Sequence, residues 1–329
     1  MEQRQRASVF PSRPVTSFHD AVRILAHRVP GAVAVSSTAP TLERLEGVET
    51  PRVIDAQVVE NATVARTVPD APVAAFRAFL DGVQESKVAT VAHGVPIVWG
   101  RIAAVVRQRT ERRLYTWERP VVETRLYAPL SLLDADTRAT VAQMAHVDTG
   151  RSDDEALLSR HPVYVIEQAL HAVQQDRERA ERALAERWCQ TAAEPILVDG
   201  SISGSDIVAR HRCAVGVVKS HRQLYASAPL LDTMLALRSG ERTPVMRIAP
   251  RNRTPVYSWY LRLRDGVAHD ALWGLVRVEV AECEAVTARA DEVSRWLLAE
   301  RTPLALPDGR WDRLAYPVRE CQEVLRAIT

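Results

Sequence analysis

The order of strand-like and helical segments along the chain is the feature that most limits its fold. Four segments rich in β-branched and aromatic residues follow one another between positions 73 and 127, and a long helical pattern at 162–188 precedes the strand-like run 195–198. Neighbouring strands of the first group favour antiparallel pairing, whereas strands that alternate with helices favour parallel pairing. We therefore expect an α/β fold with a mixed β-sheet flanked by helices.

The remaining pattern divides the chain into an N-terminal arm, residues 1–68, and a main domain, residues 69–329. The arm carries a short amphipathic helix at 17–27, with Phe18, Val22 and Leu25 on one face, and little core of its own. We expect it to contact a second subunit or a partner. In the main domain the pattern predicts strands at 73–81, 87–92, 96–106, 113–127, 195–198, 213–218, 256–264 and 272–280, and helices at 130–147, 162–188, 229–237, 285–299 and 314–328.

Composition excludes several classes of protein. The net charge of +2 in 329 residues argues against a uniformly basic surface for nucleic acid, although a local basic groove is compatible with it. No apolar run approaches the roughly 20 residues that cross a bilayer, so we expect a cytoplasmic protein with no membrane contact. The four cysteines form no zinc-ribbon or disulfide pattern.

Lysine is rare in this chain, which makes the two lysines informative. Of the 43 basic residues only Lys87 and Lys219 are lysine, so 41 are arginine. Where a charge alone is needed arginine has replaced lysine, and a retained lysine marks a place where a compact ammonium group is required. Lys219 closes the apolar run 214–218, where it would hold a phosphate or a water. The alternative is a loop whose charges face solvent.

Asp81 and Asp199 are the first candidates for chemistry. Each follows an apolar strand-like run and each precedes a glycine. Open α/β sheets place ligands at strand ends, and carboxylates that converge there suit magnesium or manganese in phosphodiester hydrolysis. The simpler alternative is that each Asp-Gly pair makes a hairpin turn.

A third carboxylate is expected from the helix at 162–188. Glu181 lies at the edge of its apolar stripe, whereas Glu178 and Glu186 point further toward solvent. The alternative is that these glutamates form a solvated face and pair at helical spacing with Arg177, Arg179 and Arg182. The sequence contains no Walker loop and no Gly-x-Gly-x-x-Gly motif, so we expect no nucleotide site in this chain.

Six segments together resemble the NurA family of nucleases. They are FLDGV, PILVDGSIS, AVGVVKSHRQLY, VYSWYLRL, LWGLVRVEV and RLAYPVRECQEVLRAI, in that order, and the resemblance covers roughly residues 73–329. It implies an RNase H-like core, a manganese-dependent single-strand endonuclease and 5′–3′ exonuclease, a homodimer, and association with a hexameric HerA-type DNA-translocating ATPase that processes DNA ends in repair or in defence against phage.

The resemblance also assigns site residues. It implies that Asp81, Glu181 and Asp199 bind the metal, manganese or alternatively magnesium, and that Tyr316 belongs to the closing motif of the catalytic site. Two positions depart from the family pattern: Val83 follows the first Asp-Gly, and no histidine lies in the C-terminal helix, where Glu320 or Glu323 would supply the missing ligand.

Two functions are therefore expected from the sequence. The first is a metal-dependent deoxyribonuclease in which Lys219 adds positive charge beside the scissile phosphate. The alternative is a catalytically inactive NurA-like adaptor that docks on the ATPase. The presence of both Asp-Gly motifs favours the enzyme.

Overall fold

The computed structural model describes residues 17–31, 33–34, 50–60, 64–111, 113–150, 160–265, 270–301 and 316–328. Within these ranges the chain is an α/β protein in which one large mixed β-sheet is flanked by helices, as predicted. The strands are β1 (Val33–Ala34), β2 (Arg52–Ile54), β3 (Gln57–Val58), β4 (Arg66–Thr67), β5 (Ala78–Ala92), β6 (Val95–Thr110), β7 (Arg113–Ala128), β8 (His146–Asp148), β9 (Ile196–Asp199), β10 (Ala214–Val218), β11 (Gln223–Tyr225), β12 (Glu241–Arg242), β13 (Met246–Ile248), β14 (Val256–Arg262) and β15 (Leu275–Val280).

The helices lie on both faces of this sheet. They are α1 (Phe18–Arg28), α2 (Ala135–Ala142), α3 (Pro162–Thr191), α4 (Asp206–Ala209), α5 (Ala228–Ala236), α6 (Val286–Glu300) and α7 (Tyr316–Ile328). The helix predicted at 130–147 is wrong in extent. Asp134 caps α2 by accepting hydrogen bonds from the first-turn amides, and beyond α2 the chain pairs with β7 as β8.

Three long antiparallel strands form one half of the sheet. β5 pairs with β6, and β6 with β7, over almost their whole lengths. His93 and Gly94 both adopt positive φ between β5 and β6, which suits a tight two-residue hairpin. The prediction that one strand ends at Asp81 and another starts near Lys87 is wrong, because β5 is continuous through both and Asp81-Gly82 is extended rather than a turn.

Two parallel strands continue the sheet on the other side of β5. β9 pairs in parallel with β5 and with β10, and β10, β15 and β14 then pair antiparallel. The main order is β3-β13-β14-β15-β10-β9-β5-β6-β7-β8, with β1, β4 and β12 attached beside it. The junction of β5, β9 and β10 is thus the place where antiparallel pairing changes to parallel pairing.

Side chains of this central region alternate between two cores. On one face Leu80 and Val198 pack with Leu184 and Trp188 of α3. On the other face lie Phe79 and Leu197, which belong to the cluster that α6 and α7 complete with Trp296, Leu297, Cys321 and Leu325. Because both faces are covered, the strands here are apolar on both sides, and any charged residue between them is buried.

α1 packs against the sheet of its own chain. Ala21 and Leu25 are fully buried in a cluster with residues of β5 and β6, and the ring of Phe18 meets Trp99 edge-on, with their centroids 5.7 Å apart. The helix predicted in the arm is confirmed, and its apolar side chains share a core with residues of β5 and β6. Contact between the arm and another subunit or partner stays a prediction.

The structure adds two limits on the class of protein. All four cysteines are free thiols. Among the helices in the described ranges, none combines the length and apolar character that a membrane crossing requires.

Leu25 tests whether α1 is part of the folded core. We expect Leu25→Ala to lower the free energy of unfolding by about 2–4 kcal/mol, because it leaves a cavity at a fully buried position. His27→Ala, on the exposed side of the same helix, serves as the control and should change stability by less than about 0.5 kcal/mol. Urea denaturation of both variants measures this. Equal, small effects would show that α1 does not pack on the sheet.

Candidate active site

The parallel pairing of β5 and β9 brings Asp81 and Asp199 side by side. Leu80 lies opposite Val198 in this pair, so the two aspartates occupy the next position on strands that are about 4.8 Å apart. Side chains at matching positions of neighbouring strands point to the same face of the sheet. For these two it is the face that α7 covers: burial raises the pKa of the Cys321 thiol of α7, and the nearby charges of Asp81 and Asp199 raise it further.

Asp81 is a buried carboxylate with an unsatisfied oxygen. Its side chain is almost fully enclosed; Oδ1 accepts a hydrogen bond from the Gly82 amide at 2.8 Å, whereas Oδ2 has no hydrogen-bond partner among the described residues. Burial raises the pKa of Asp81 well above its ordinary value. The negative charges of Asp199 and Glu181 raise that pKa further, and the positive charge of Lys219 partly offsets them.

Glu181 of α3 approaches the two aspartates from the opposite face of the sheet. Gly82 makes room for it, because a Cβ at that position would collide with the Glu181 carboxylate. Burial raises the pKa of Glu181 to about 7, against the opposing charge of Arg177, which donates a hydrogen bond to Oε1 at 2.5 Å. Arg177 also donates to Gln84 of β5, so the glutamate is fixed to both helix and strand.

Lys219 is the fourth charged residue of the site, after Asp81, Asp199 and Glu181. The residue directly follows β10, and its Nζ donates to Oδ2 of Asp199 at 2.6 Å. The other lysine is placed differently: Lys87 forms a half-exposed ion pair with Glu85, 2.7 Å apart. Only Lys219 of the two therefore lies beside the carboxylates.

The structure identifies Glu279 as a positioning residue that sequence analysis missed. It is buried in β15, and its Oε2 accepts from the Ser201 hydroxyl at 2.8 Å and from the Ile202 amide at 2.9 Å. Arg277 donates to its other oxygen. Glu279 thereby fixes the loop that follows Asp199. The signal was present in the sequence, because an acidic residue inside the apolar strand LVRVEV must be paired if it is buried.

Gly216 allows that loop to lie directly against β10. A Cβ at this position would come within 2.8 Å of the carbonyl oxygen of Gly200. Gly200 itself has φ of 129°, a conformation that side chains disfavour. The turn after Asp199 therefore depends on two glycines: Gly200 adopts the bend, and Gly216 of β10 leaves space for it.

The residues predicted in α7 are placed as follows. Tyr316 is the first residue of the helix, and its side chain lies outside the described part. Glu320 accepts a hydrogen bond from Arg107 of β6 at 2.7 Å, and Glu323 is exposed. The structure thus brings together Asp81, Glu181, Asp199 and Lys219, while Glu320 is paired with Arg107.

A cavity of about 160 Å³ opens beside Asp199 and Glu181, on the α3 side of the sheet. It lies between α3 and the loop that leads from β9 to α4. Its lining residues are Arg177, Glu178, Glu181, Arg182, Ala185, Val198, Asp199, Gly200, Ser201, Ile202, Gly204, Ser205, Val208 and Arg253.

The donor set suits a hard cation, although the side chains do not form a complete chelate. In the part of the chain that the structure describes, no group of three or more His, Cys, Asp or Glu side chains is arranged to hold a metal ion. Asp199 and Glu181 are instead paired with Lys219 and Arg177. Magnesium and manganese are commonly held by one or two carboxylates together with waters, and the unpartnered Oδ2 of Asp81 beside Asp199 fits that mode.

Comparison with known proteins does not assign the chain to a family. No model of a known protein family matches the chain, and no curated protein matches it. The resemblance to NurA nucleases therefore remains an expectation based on the sequence motifs.

Asp81 should destabilise the fold when no cation is bound. We expect Asp81→Asn to raise the free energy of unfolding at pH 7 in chelator by about 1 kcal/mol or more, because it removes a carboxyl group that ionises freely in the unfolded chain but unfavourably when buried beside Asp199. An unfolded chain binds its proton with the ordinary pKa of about 3.9, whereas the folded chain binds it more tightly. The wild type therefore loses stability as the pH rises above about 4, and the advantage of the variant grows over that range.

Thermal unfolding between pH 4 and pH 8 measures this difference. Asp232→Asn, at an exposed position of α5, is the matched control and should leave the pH dependence unchanged. A variant at Asp81 that is less stable than the wild type throughout the range would contradict the electrostatic description of the site.

Proposed function

We propose that the chain is a metal-dependent deoxyribonuclease with an RNase H-like core, which cleaves single-stranded DNA and DNA ends together with a HerA-type ATPase. The observation that carries the proposal is the group formed by the buried Asp81 and Glu181 with the part-buried Asp199, in which one Asp81 oxygen has no partner among the described residues. Such a group is costly without a cation and becomes favourable when one binds. Manganese is the metal that the resemblance implies, with magnesium as the alternative.

The arrangement of the five central strands supports the RNase H-like part of the proposal. β5, β6 and β7 form an antiparallel meander, and β9 and β10 extend it in parallel on the side of β5. The long helix α3 connects the meander to β9. This is the arrangement expected of an RNase H-like core, with one carboxylate on its first strand and another at the end of its fourth.

Each polar residue of the site has a distinct part in the proposed hydrolysis. Asp81 and Asp199 would hold the cation, and Glu181 would join them from α3. When bound, a divalent cation supplies charge that stabilises the scissile phosphate and activates water for attack. Lys219 adds a compact positive charge beside Asp199, and Glu279 keeps the loop after Asp199 in place through the Ser201 and Ile202 contacts.

The near-neutral charge of the chain supports a shared mode of action. A net charge of +2 provides little general attraction for DNA, and the sequence has no Walker loop of its own. A translocating ATPase would supply both strand separation and delivery of the strand. Homodimer formation is part of the same proposal.

Cleavage of single-stranded DNA in manganese tests the proposal. We expect the wild type to cleave, and Asp199→Asn to lower the rate at least about a hundredfold, because it removes a charged ligand of the cation. Asp232→Asn is again the control and should cleave at the wild-type rate. Release of labelled fragments from an oligonucleotide, with and without the ATPase, gives the rates.

Two outcomes would contradict the enzyme. Cleavage that survives Asp199→Asn unchanged would place the chemistry elsewhere. A wild-type chain that does not cleave even with the ATPase present would favour the inactive adaptor, in which the ion pairs of Lys219 and Arg177 replace the cation permanently.

A further inference from the structure

Arg182 of α3 lacks the ion pairs that its position in the helix offers. Glu178 and Glu186 lie four residues away on either side, a spacing at which a glutamate and an arginine commonly pair. Glu178 instead accepts from Gln174 at 2.9 Å, and Glu186 accepts from Ser205 at 2.5 Å. Among the described residues, none forms a hydrogen bond or ion pair with the Arg182 guanidinium.

The guanidinium of Arg182 lies instead over the loop that follows Asp199. Its Nη2 would be 3.5 Å from a Cβ at Gly204, so the group sits above the glycine backbone at the wall of the cavity. Arg177, about one and a half turns earlier in α3, differs from Arg182 because it forms an ion pair with Glu181. Both arginines line the cavity, but only Arg177 is engaged by a carboxylate among the described residues.

Arg253 approaches the same cavity from another element. It follows β13 in a loop whose Thr254 amide donates to the Ser203 carbonyl at 2.9 Å, which holds this loop against the β9–α4 loop. Its side chain lines the cavity, and in the described part of the chain it too has no acidic partner. Two unpaired guanidinium groups therefore converge on the cavity from α3 and from the 249–255 loop.

We propose that this cavity is a subsite for a phosphate group of the DNA strand, bound by Arg182 and Arg253. Guanidinium groups bind phosphate through paired, charge-assisted hydrogen bonds, and these two have no acidic partner within the described ranges that would compete for them. The cavity of about 160 Å³ is more than large enough for several water molecules, so it can take a group larger than a single water.

The proposed subsite lies beside the carboxylates at which cleavage is proposed. Asp199 and Glu181 line the same cavity, so a phosphate held by the arginines would lie next to the one presented to the carboxylates. The phosphate belongs either to a 5′ end or to the interior of the strand, and binding to either would fix the distance from that phosphate to the scissile bond. This inference rests on the proposed function, because it takes the ligand to be DNA.

Binding of labelled single-stranded DNA tests the subsite. The measurement uses the full chain with Asp81→Asn, so that the strand stays intact, in manganese at constant ionic strength. We expect Arg182→Gln with Arg253→Gln to weaken binding at least tenfold. The matched control is Arg187→Gln with Arg251→Gln, which removes the same charge from the same helix and the same loop outside the cavity, and it should weaken binding less than threefold.

Two oligonucleotides, one with a 5′ phosphate and one with a 5′ hydroxyl, separate the sources of the phosphate. A loss confined to the phosphorylated strand supports a site for the 5′ end, whereas an equal loss for both supports a site for an internal phosphate. Equal effects of the cavity pair and the control pair would overturn the inference, and wild-type cleavage in manganese would then still support the nuclease. Conversely, an inactive wild type whose cavity variants lose DNA binding would retain the subsite without the nuclease.

Discussion

Two aspartates at matching positions of neighbouring parallel strands are the constraint on which the site depends. Backbone pairing between β5 and β9 fixes Asp81 beside Asp199, and the covered faces of the sheet bury Asp81. The two strands lie in the middle of a large sheet, so the backbone keeps the two aspartates next to each other. The fold therefore creates a place where positive charge is favourable.

Several residues are arranged to balance this charge. Lys219 pairs with Asp199 and Arg177 pairs with Glu181, while Gly82 gives the glutamate its space. The loop after Asp199 is fixed by Glu279, which brings a further buried carboxylate with its own partner, Arg277. The carboxylates thus lower the stability of the fold at one point of the core, and the contacts around them offset that loss. This is common where side chains are kept for chemistry rather than for packing.

Sequence reasoning located the elements better than their ends. The long helix α3 was predicted from its apolar periodicity, and the strands β6 and β7 from their content of β-branched and aromatic residues. The continuity of β5 was not predicted, because Asp-Gly taken alone is a turn signal. The extended glycine is explained only by the pairing of β5 with β6 and by the nearby Glu181, which needs the space that Gly82 leaves. Likewise Glu181 followed from its place on the helix, whereas Glu279 required knowledge of which loop lies against β15.

A manganese-soaked crystal tests the central claim most directly. Anomalous diffraction at the manganese edge would locate the ion without reference to activity. The account predicts a peak in contact with the carboxylates of Asp81 and Asp199, which disappears in Asp81→Asn. A peak bound elsewhere, or carboxylates that keep their pairing with Lys219 and Arg177 at saturating manganese, would contradict it.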